Sequence, residues 1–493
     1  MSFAKYNSHR KETMASFSKL QNDMPDETSI EENINGLAID KLAVPDSELA
    51  SAVWESTSKW LPRRNDDCDF WWQSTGPQLG ALLFHAGYSV AQQYEGLLFH
   101  YHVLVPRLGP RPTSSSLAGG SPYKWKSFMQ DDFKPIEYSW KWDTGKLLSN
   151  GNMSKPDLRL VIEAIGPLTG TTQDPLNQVA TGEILRELDS VNPKVDLTWF
   201  HQVSRAIFGD VDVTGAKDHI QAADLADVGS SSMFLAFQFL KGDPKSDSPI
   251  KAYFMPPGWA KSRGTDNRAH EKIIAAIRSL GHKDKHEWTT LDQLLSFFND
   301  NENGRQLSTP FIVSTDCMIS SECRLKIYVR TPRASFDSVV DILSMGGKRA
   351  GFEKNFQELK DLWRLTFDLP IGFSTSEDLP LREHGTSGMC YHFEIHQANA
   401  LPDVKLYIPT KHYGQSDMKV AKGLTKYLEL YGRGTYAADY MKALKQLAPL
   451  HQLETSSGVQ SYISCALEKE SLSLTTYFNP CIPLEIRDLL LVN

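Results

Sequence analysis

The sequence predicts an α+β fold, a ten-stranded antiparallel β-barrel surrounded by α-helices. Three observations predict it. Five pairs of short alternating runs follow one another along the chain, each pair broken by a turn; helix-periodic stretches lie between pairs; and in three pairs the second run carries Lys or Arg with Tyr on one face, in a fourth Tyr477 with Ser and Thr, and in all four mainly apolar residues on the other. Hairpins separated by helices give antiparallel strands, and closing them into a barrel leaves no edge open to pairing with another chain.

The pairs are 135–142 with 158–165, 233–240 with 250–255, 311–318 with 323–331, 389–397 with 404–409, and 460–467 with 472–478. Helical spacing marks 179–188, 271–280, 335–345, 356–365 and 418–430, and, ahead of the first pair, a long stretch over 78–108. Residues 112–121 form a Ser/Gly/Pro loop. Residues 1–46 are polar with acidic runs and are read as a disordered leader to a single domain over 47–493.

Bulk properties remove several classes of function. A net charge of −8 argues against a broadly basic nucleic-acid surface, so a bound anion requires cations gathered locally. The six cysteines are scattered without a CxxC pair, which suits a reducing, cytoplasmic setting. There is no apolar leader and no apolar run of about 18 residues. No P-loop, GxGxxG or GxSxG motif is present. Asp66-Asp67-Cys68-Asp69 and Asp131-Asp132 lack the spacing of a magnesium motif and read as solvated loop charge. His100 and His102 cannot face one ligand on a helix, and His392 and His396 stand about 13 Å apart on a strand. No metal or other cofactor is expected.

The polar strand faces carry the chemistry. Lys251 alternates with Tyr253; Arg324 with Lys326, Tyr328 and Arg330; Lys405 with Tyr407; and Ser471, Ser473 and Thr475 with Tyr477. Alternation puts each set on one side of its strand. Opposite stand Ala252 and Phe254; Leu325, Ile327 and Val329; Leu406 and Ile408; and Leu472, Leu474 and Phe478. A polar strand face ordinarily meets water. Repetition of cation-x-Tyr on three strands, with helices needing an apolar surface to pack on, instead turns the polar faces into the lumen. Such a lumen is costly unless an anion fills it. A diphosphate fits, because ammonium and guanidinium groups bind its oxygens through charge-assisted bonds, and ring faces stabilise the carbocation an allylic diphosphate releases. In the first pair Glu137 shares a face with Ser139 and Lys141, and Arg159 lies opposite three aliphatic residues. A lumenal Glu137 can accept an indole N–H; a surface ion pair is the plainer reading of the same residue. Glu163 reads as a capping or turn carboxylate.

The segments FWWQSTGPQLGALLFHAG (70–87), QQYEGLLFHYHVLVPRLGP (92–110), PIEYSWKW (135–142), LRLVIEAIGPLTG (158–170), IKAYFMPPG (250–258), RLKIYVRT (324–331), VKLYIPTKHYG (404–414) and the hairpin through Tyr477 occur in one order. In that order they resemble the fungal dimethylallyl tryptophan synthase family of indole prenyltransferases. The resemblance runs from about residue 70 to the C-terminus. It implies repeated α-β-β-α units (the ABBA prenyltransferase barrel), metal-independent transfer of a dimethylallyl group from dimethylallyl diphosphate to an indole, and release of diphosphate. By position, Glu137 matches the glutamate that binds the indole nitrogen. Arg159, Lys251, Arg324, Lys326 and Lys405 match the diphosphate cations, and Tyr253, Tyr328, Tyr407 and Tyr477 the tyrosine shield.

Three departures stand out. The lysine that assists proton loss in some members falls at Leu240 or Lys241, a shield tyrosine is replaced by Ser473, and Lys405 stands where some relatives have glutamine. The SWKW stretch resembles members that act on tryptophan-containing cyclic dipeptides, which makes an indole of that class the expected acceptor. Free tryptophan or tyrosine, a phenol oxygen, or a barrel that binds a hydrophobic anion without chemistry are the alternatives. Oligomeric state is open, a homodimer included.

Overall fold

Alternation along each strand sorts side chains to two sides, and the fold follows from which side is apolar. In the computed structural model the described residues are 46–112, 123–142, 156–209, 231–239, 241, 250–256, 268–280, 288–308, 310–319, 323–380, 382–396, 399–468 and 471–482. Their strands are β1 (Ile136–Trp142), β2 (Asp157–Ile162), β3 (Met233–Gln238), β4 (Ile250–Phe254), β5 (Ile312–Asp316), β6 (Leu325–Thr331), β7 (Met389–Ile395), β8 (Asp403–Ile408), β9 (Gln460–Leu467) and β10 (Leu472–Phe478). Each pairs antiparallel with the next, and β10 returns to β1 with Ser139 opposite Tyr477, so the sheet is a closed barrel. The expected runs match these strands to within three residues at either end.

The helices are α1 (Asp46–Trp60), α2 (Asp66–His85), α3 (Val90–Phe99), α4 (Val179–Val191), α5 (Thr198–Phe208), α6 (Arg268–Ser279), α7 (Thr289–Asp300), α8 (Glu302–Arg305), α9 (Phe336–Leu343), α10 (Glu353–Thr366), α11 (Thr410–Tyr413), α12 (Asp417–Leu430), α13 (Ala437–Leu447) and α14 (Leu450–Thr455). Two sequence expectations change here. The stretch 78–108 is not one helix. Gly87, at φ 75°, turns the chain after α2, and Ser89 with Gln92 forms a capping box that starts α3. Asp66, Asp67 and Asp69 are not loop charge either. Asn65 caps α2 by accepting from Cys68 N at 2.8 Å, so the three carboxylates occupy the first turn, where the helix dipole favours them. Residues 1–45 and 113–121, expected as leader and loop, lie outside the described residues.

The apolar strand faces point outward and the helices bury them. Trp140 is fully buried with its ring 6.3 Å from Tyr440 of α13. Tyr138 donates its hydroxyl to Thr75 O of α2 at 2.9 Å. Phe254 lies 5.4 Å from Phe200 of α5, and Phe393 lies 5.6 Å from Phe298 of α7. Each such side chain contributes roughly 1.5–3 kcal/mol by leaving water. Glu163 is a turn carboxylate as read, but a fully buried one. Trp125 Nε1 (2.8 Å), Asn177 Nδ2 (3.0 Å) and Ser231 Oγ (2.5 Å) all donate to it, tying three segments together below β2. The six cysteines are free thiols. Among the described residues no helix is long and apolar enough to cross a membrane.

At Gly423 of α12 two helices come very close: a Cβ there would collide with Leu365 O of α10. On an exposed helix Gly→Ala gains about 1 kcal/mol. Gly423→Ala is expected to lose about 1–3 kcal/mol instead, through overpacking, read as a lowered urea midpoint.

Candidate active site

Register stacks the lumenal side chains in layers. At one end the cations gather. Asp316 of β5 holds Lys251 (3.2 Å) and Arg324 (2.8 Å), and Glu394 of β7 lies 3.7 Å from Lys326 and 3.9 Å from Arg324. The carboxyls of Asp316 and Glu394 are held far below their usual range; burial opposes this, but the neighbouring cations (and, for Glu394, a bond from His396) prevail. The strands paired with the cationic ones thus supply counter-charges, a compensation that was not read from the sequence. It is incomplete. Lys405 donates to Thr475 Oγ1 at 3.2 Å, and the buried Nε of Arg159 has no hydrogen-bond partner among the described residues. Burial, with Arg159 and Lys141 nearby, pulls Lys405 down to about 7; burial likewise holds Lys251 at about 8, with Asp316 pulling the other way. All five predicted cations therefore share one end of the lumen.

The four predicted tyrosines form a continuous belt in the next layer. Ring centroids run 6.1 Å from Tyr253 to Tyr328, 6.0 Å on to Tyr407 and 5.7 Å on to Tyr477. Tyr462 of β9 joins them, 6.4 Å from Tyr407 and 6.5 Å from Tyr477. His392 Nδ1 sits 3.1 Å from the Tyr407 hydroxyl, and burial keeps its ring neutral, well below the usual histidine range. Burial also raises the phenols of Tyr253, Tyr328, Tyr407 and Tyr477 above their ordinary value.

Beyond the belt an open cavity of about 160 Å³ is lined by Glu137, Tyr253, Tyr328, Tyr407, Tyr462 and Tyr477, together with Arg330, Lys411 and apolar groups such as Phe128, Met129 and Phe234. A cavity of roughly that size takes a single aromatic ring. Glu137 forms no ion pair among the described residues. Its Oε2 accepts from Gln130 Nε2 (2.9 Å) and Ser461 Oγ (3.0 Å), and Oε1 takes no bond from the described residues. Burial raises the carboxyl to about 7 against the lowering effect of these two donors and of Lys411. The site can hold an anion at one end, shield a cation in the middle and accept an N–H or O–H at Glu137.

Asp131 departs from expectation. It is not solvated loop charge, since it accepts from Lys411 (2.8 Å) and Thr386 Oγ1 (2.9 Å) and lies 3.5 Å from His412 and 3.9 Å from His384. Lys241 donates to Ala86 O and Pro156 O and covers the Tyr88 ring at 4.5 Å, so it is committed to packing outside the cavity lining. Leu240 lies outside the described residues. Sequence reasoning did not place Tyr462, Lys411, Gln130 or Asp131 in the site. Only Tyr462 left a signal, two residues beyond the start of the fifth pair.

A closed barrel of ten antiparallel strands ringed by helices is the architecture of the ABBA aromatic prenyltransferases. Solved structures of this type superimpose on the chain. AnaPT from Neosartorya fischeri matches with a TM-score of 0.69 at 24% identity, and NotF in complex with brevianamide F and DMSPP with 0.68 at 22%; both matches cover 87% of this chain and 98% of the other. Among curated proteins, prenyltransferase anuH of Penicillium roqueforti is 34% identical over 444 residues (87% of this chain, 92% of anuH). Xanthone prenyltransferase B of Emericella nidulans is 34% identical over 467 residues (90% and 95%). The model of the tryptophan dimethylallyltransferase family matches residues 67–443, and the chain belongs to that family of aromatic prenyltransferases.

The lowered Lys405 and Lys251 give the cationic end a pH signature. A bound anion raises both, so binding takes up protons, and affinity weakens once the free lysines lose theirs. Titration calorimetry with inorganic pyrophosphate is expected to show affinity falling above pH 7, by up to about tenfold per unit while Lys405 alone loses its proton and more steeply once Lys251 joins it above pH 8. Lys405→Gln is expected to remove the fall between pH 7 and 8 and leave that due to Lys251.

Proposed function

We propose that the protein transfers the dimethylallyl group of dimethylallyl diphosphate to an electron-rich aromatic ring whose N–H or O–H is held by Glu137. The observation that carries this reading is the layering. A cation cluster with unspent charge, an unbroken tyrosine belt and an accessible carboxylate oxygen follow one another along one lumen. In this reading Arg159, Lys251, Arg324, Lys326 and Lys405 take the diphosphate. They absorb the negative charge that grows on its bridging oxygen as the C–O bond breaks. Tyr253, Tyr328, Tyr407 and Tyr477 hold the allyl cation and keep water from it. The ring attacks, a C–C bond forms, and the ring proton passes toward Glu137, whose carboxyl near 7 suits a proton acceptor. Holding both reactants in one cavity supplies the orientation term.

Two acceptor classes fit. A xanthone-like phenol is favoured by the 34% identity to xanthone prenyltransferase B and the 31% identity to xanthone prenyltransferase A of the same organism. An indole, as in a tryptophan-containing cyclic dipeptide, is favoured by the SWKW stretch after Glu137 and by the likeness to NotF, which was solved with brevianamide F.

The protein with dimethylallyl diphosphate, EDTA and a panel of hydroxyxanthones, cyclic dipeptides, tryptophan and tyrosine is expected to yield a one-prenyl mass gain on a phenolic or indolic acceptor. Absence of both product and released diphosphate across the panel points instead to the anion-binding reading or to another prenyl donor. Glu137→Gln is expected to cut turnover about 10²–10⁴-fold with an unchanged melting temperature, and to abolish the rise in kcat/KM with pH through about 7.

A further inference from the structure

Strand β6 spaces its lumenal side chains two residues apart. Arg324 and Lys326 lie at the cationic end, Tyr328 lies in the belt, and Arg330 comes roughly 7 Å beyond the belt by strand rise. Arg330 thus stands on the opposite side of the tyrosines from Lys251, Arg324, Lys326 and Lys405, in the cavity that Glu137 lines. Its Nη1 donates to the carbonyl oxygens of Thr386 (2.5 Å), Ser387 (3.4 Å) and Gly388 (3.4 Å), and its Nη2 to the Tyr462 hydroxyl (3.4 Å). The guanidinium also lies 5.9 Å from the centre of the Phe311 ring. Among the described residues no carboxylate pairs with it. The nearby Asp131 is engaged by Lys411, by Thr386 and by two histidines. Lys411 itself lines the cavity and lies 5.0 Å from the centre of the Tyr462 ring.

A guanidinium whose hydrogen-bond partners among the described residues are all neutral, set in the wall of a cavity, carries charge that an anion can match, and its planar fork suits a carboxylate. The diphosphate has its own cations across the belt. We propose that Arg330, with Lys411 beside it, binds a carboxylate-type anionic oxygen on the aromatic acceptor, and that this protein therefore selects acidic acceptors. The proposal rests on the prenyl-transfer reading above and names the acceptor's second handle. Glu137 takes the ring's N–H or O–H, and Arg330 takes the acid group.

Matched acceptors test it, a hydroxyxanthone carboxylic acid against its methyl ester and indole-3-propionic acid against its methyl ester, each with dimethylallyl diphosphate. In at least one pair kcat/KM is expected to favour the acid by about tenfold or more, the scale of one matched buried charge. Arg330→Gln is expected to bring that ratio toward one by raising KM for the acid. Lys411→Gln, which leaves the Arg330 carbonyl contacts in place, is expected to shift it the same way by less. Equal kcat/KM for acid and ester in both pairs overturns the inference while leaving prenyl transfer standing. An acid preference that survives in both variants also overturns it, and leaves Arg330 as a pin for the loop at 386–388. Because the wild-type ratio decides on its own, the proposal stays falsifiable even where a variant fails to fold.

Discussion

The structure depends on which side of each strand is apolar. In a sandwich the apolar faces meet in the middle. Here Trp140, Phe254, Ile327, Leu406 and Leu474 all face outward and are buried under helices, so the middle is left to polar side chains. That inversion makes the helices indispensable, since without them the barrel shows water its entire apolar surface. It also makes the lumen expensive. Charges gathered there lose hydration, and the interior has to return that loss through counter-ions, hydrogen bonds or a ligand.

The return is graded along the lumen. At the cationic end Asp316 and Glu394 neutralise Lys251, Arg324 and Lys326 in part, and Lys405 and Arg159 are left without such a partner among the described residues. The tyrosine belt divides this end from the one where Glu137, Arg330, Lys411 and Asp131 meet. A single barrel thereby holds two electrostatic environments a few residues apart, with a wall of rings between them. Charges of both signs sit at both ends, so specificity rests on which charges remain unpaired rather than on the sign of the whole cavity.

Much of this was legible in the sequence, for a physical reason. Strand alternation is strictly local, so Lys251 and Tyr253, or Arg324, Lys326 and Tyr328, declare a shared face without any knowledge of the fold. The ten strands and the predicted cations and tyrosines followed from that rule. What escaped depends on long-range proximity. Asp131 looks like loop charge until Lys411 and Thr386 arrive from more than 250 residues away. Asp316 and Glu394 alternate as regularly as their neighbours, yet their compensating role appears only once β5 and β7 pair with the cationic strands. The apparent single helix over 78–108 failed because its apolar period continues across Gly87, and periodicity does not register a backbone turn.

The seam between β1 and β10 sets terms for how the chain is made. Ser139 pairs with Tyr477 across more than 300 residues, and the last hairpin lies beyond residue 443, where the match to the family model stops. During synthesis β1 to β8 emerge as a curved sheet with two unpaired rims, and a rim of free N–H and C=O groups is a template for sticking to other chains. Only the final hairpin joins those rims and brings Tyr462 and Tyr477 into the ring. Contacts this distant in sequence are slow to form, so a ribosome that has made β1 to β8 holds an adhesive, incomplete barrel until β9 and β10 are released.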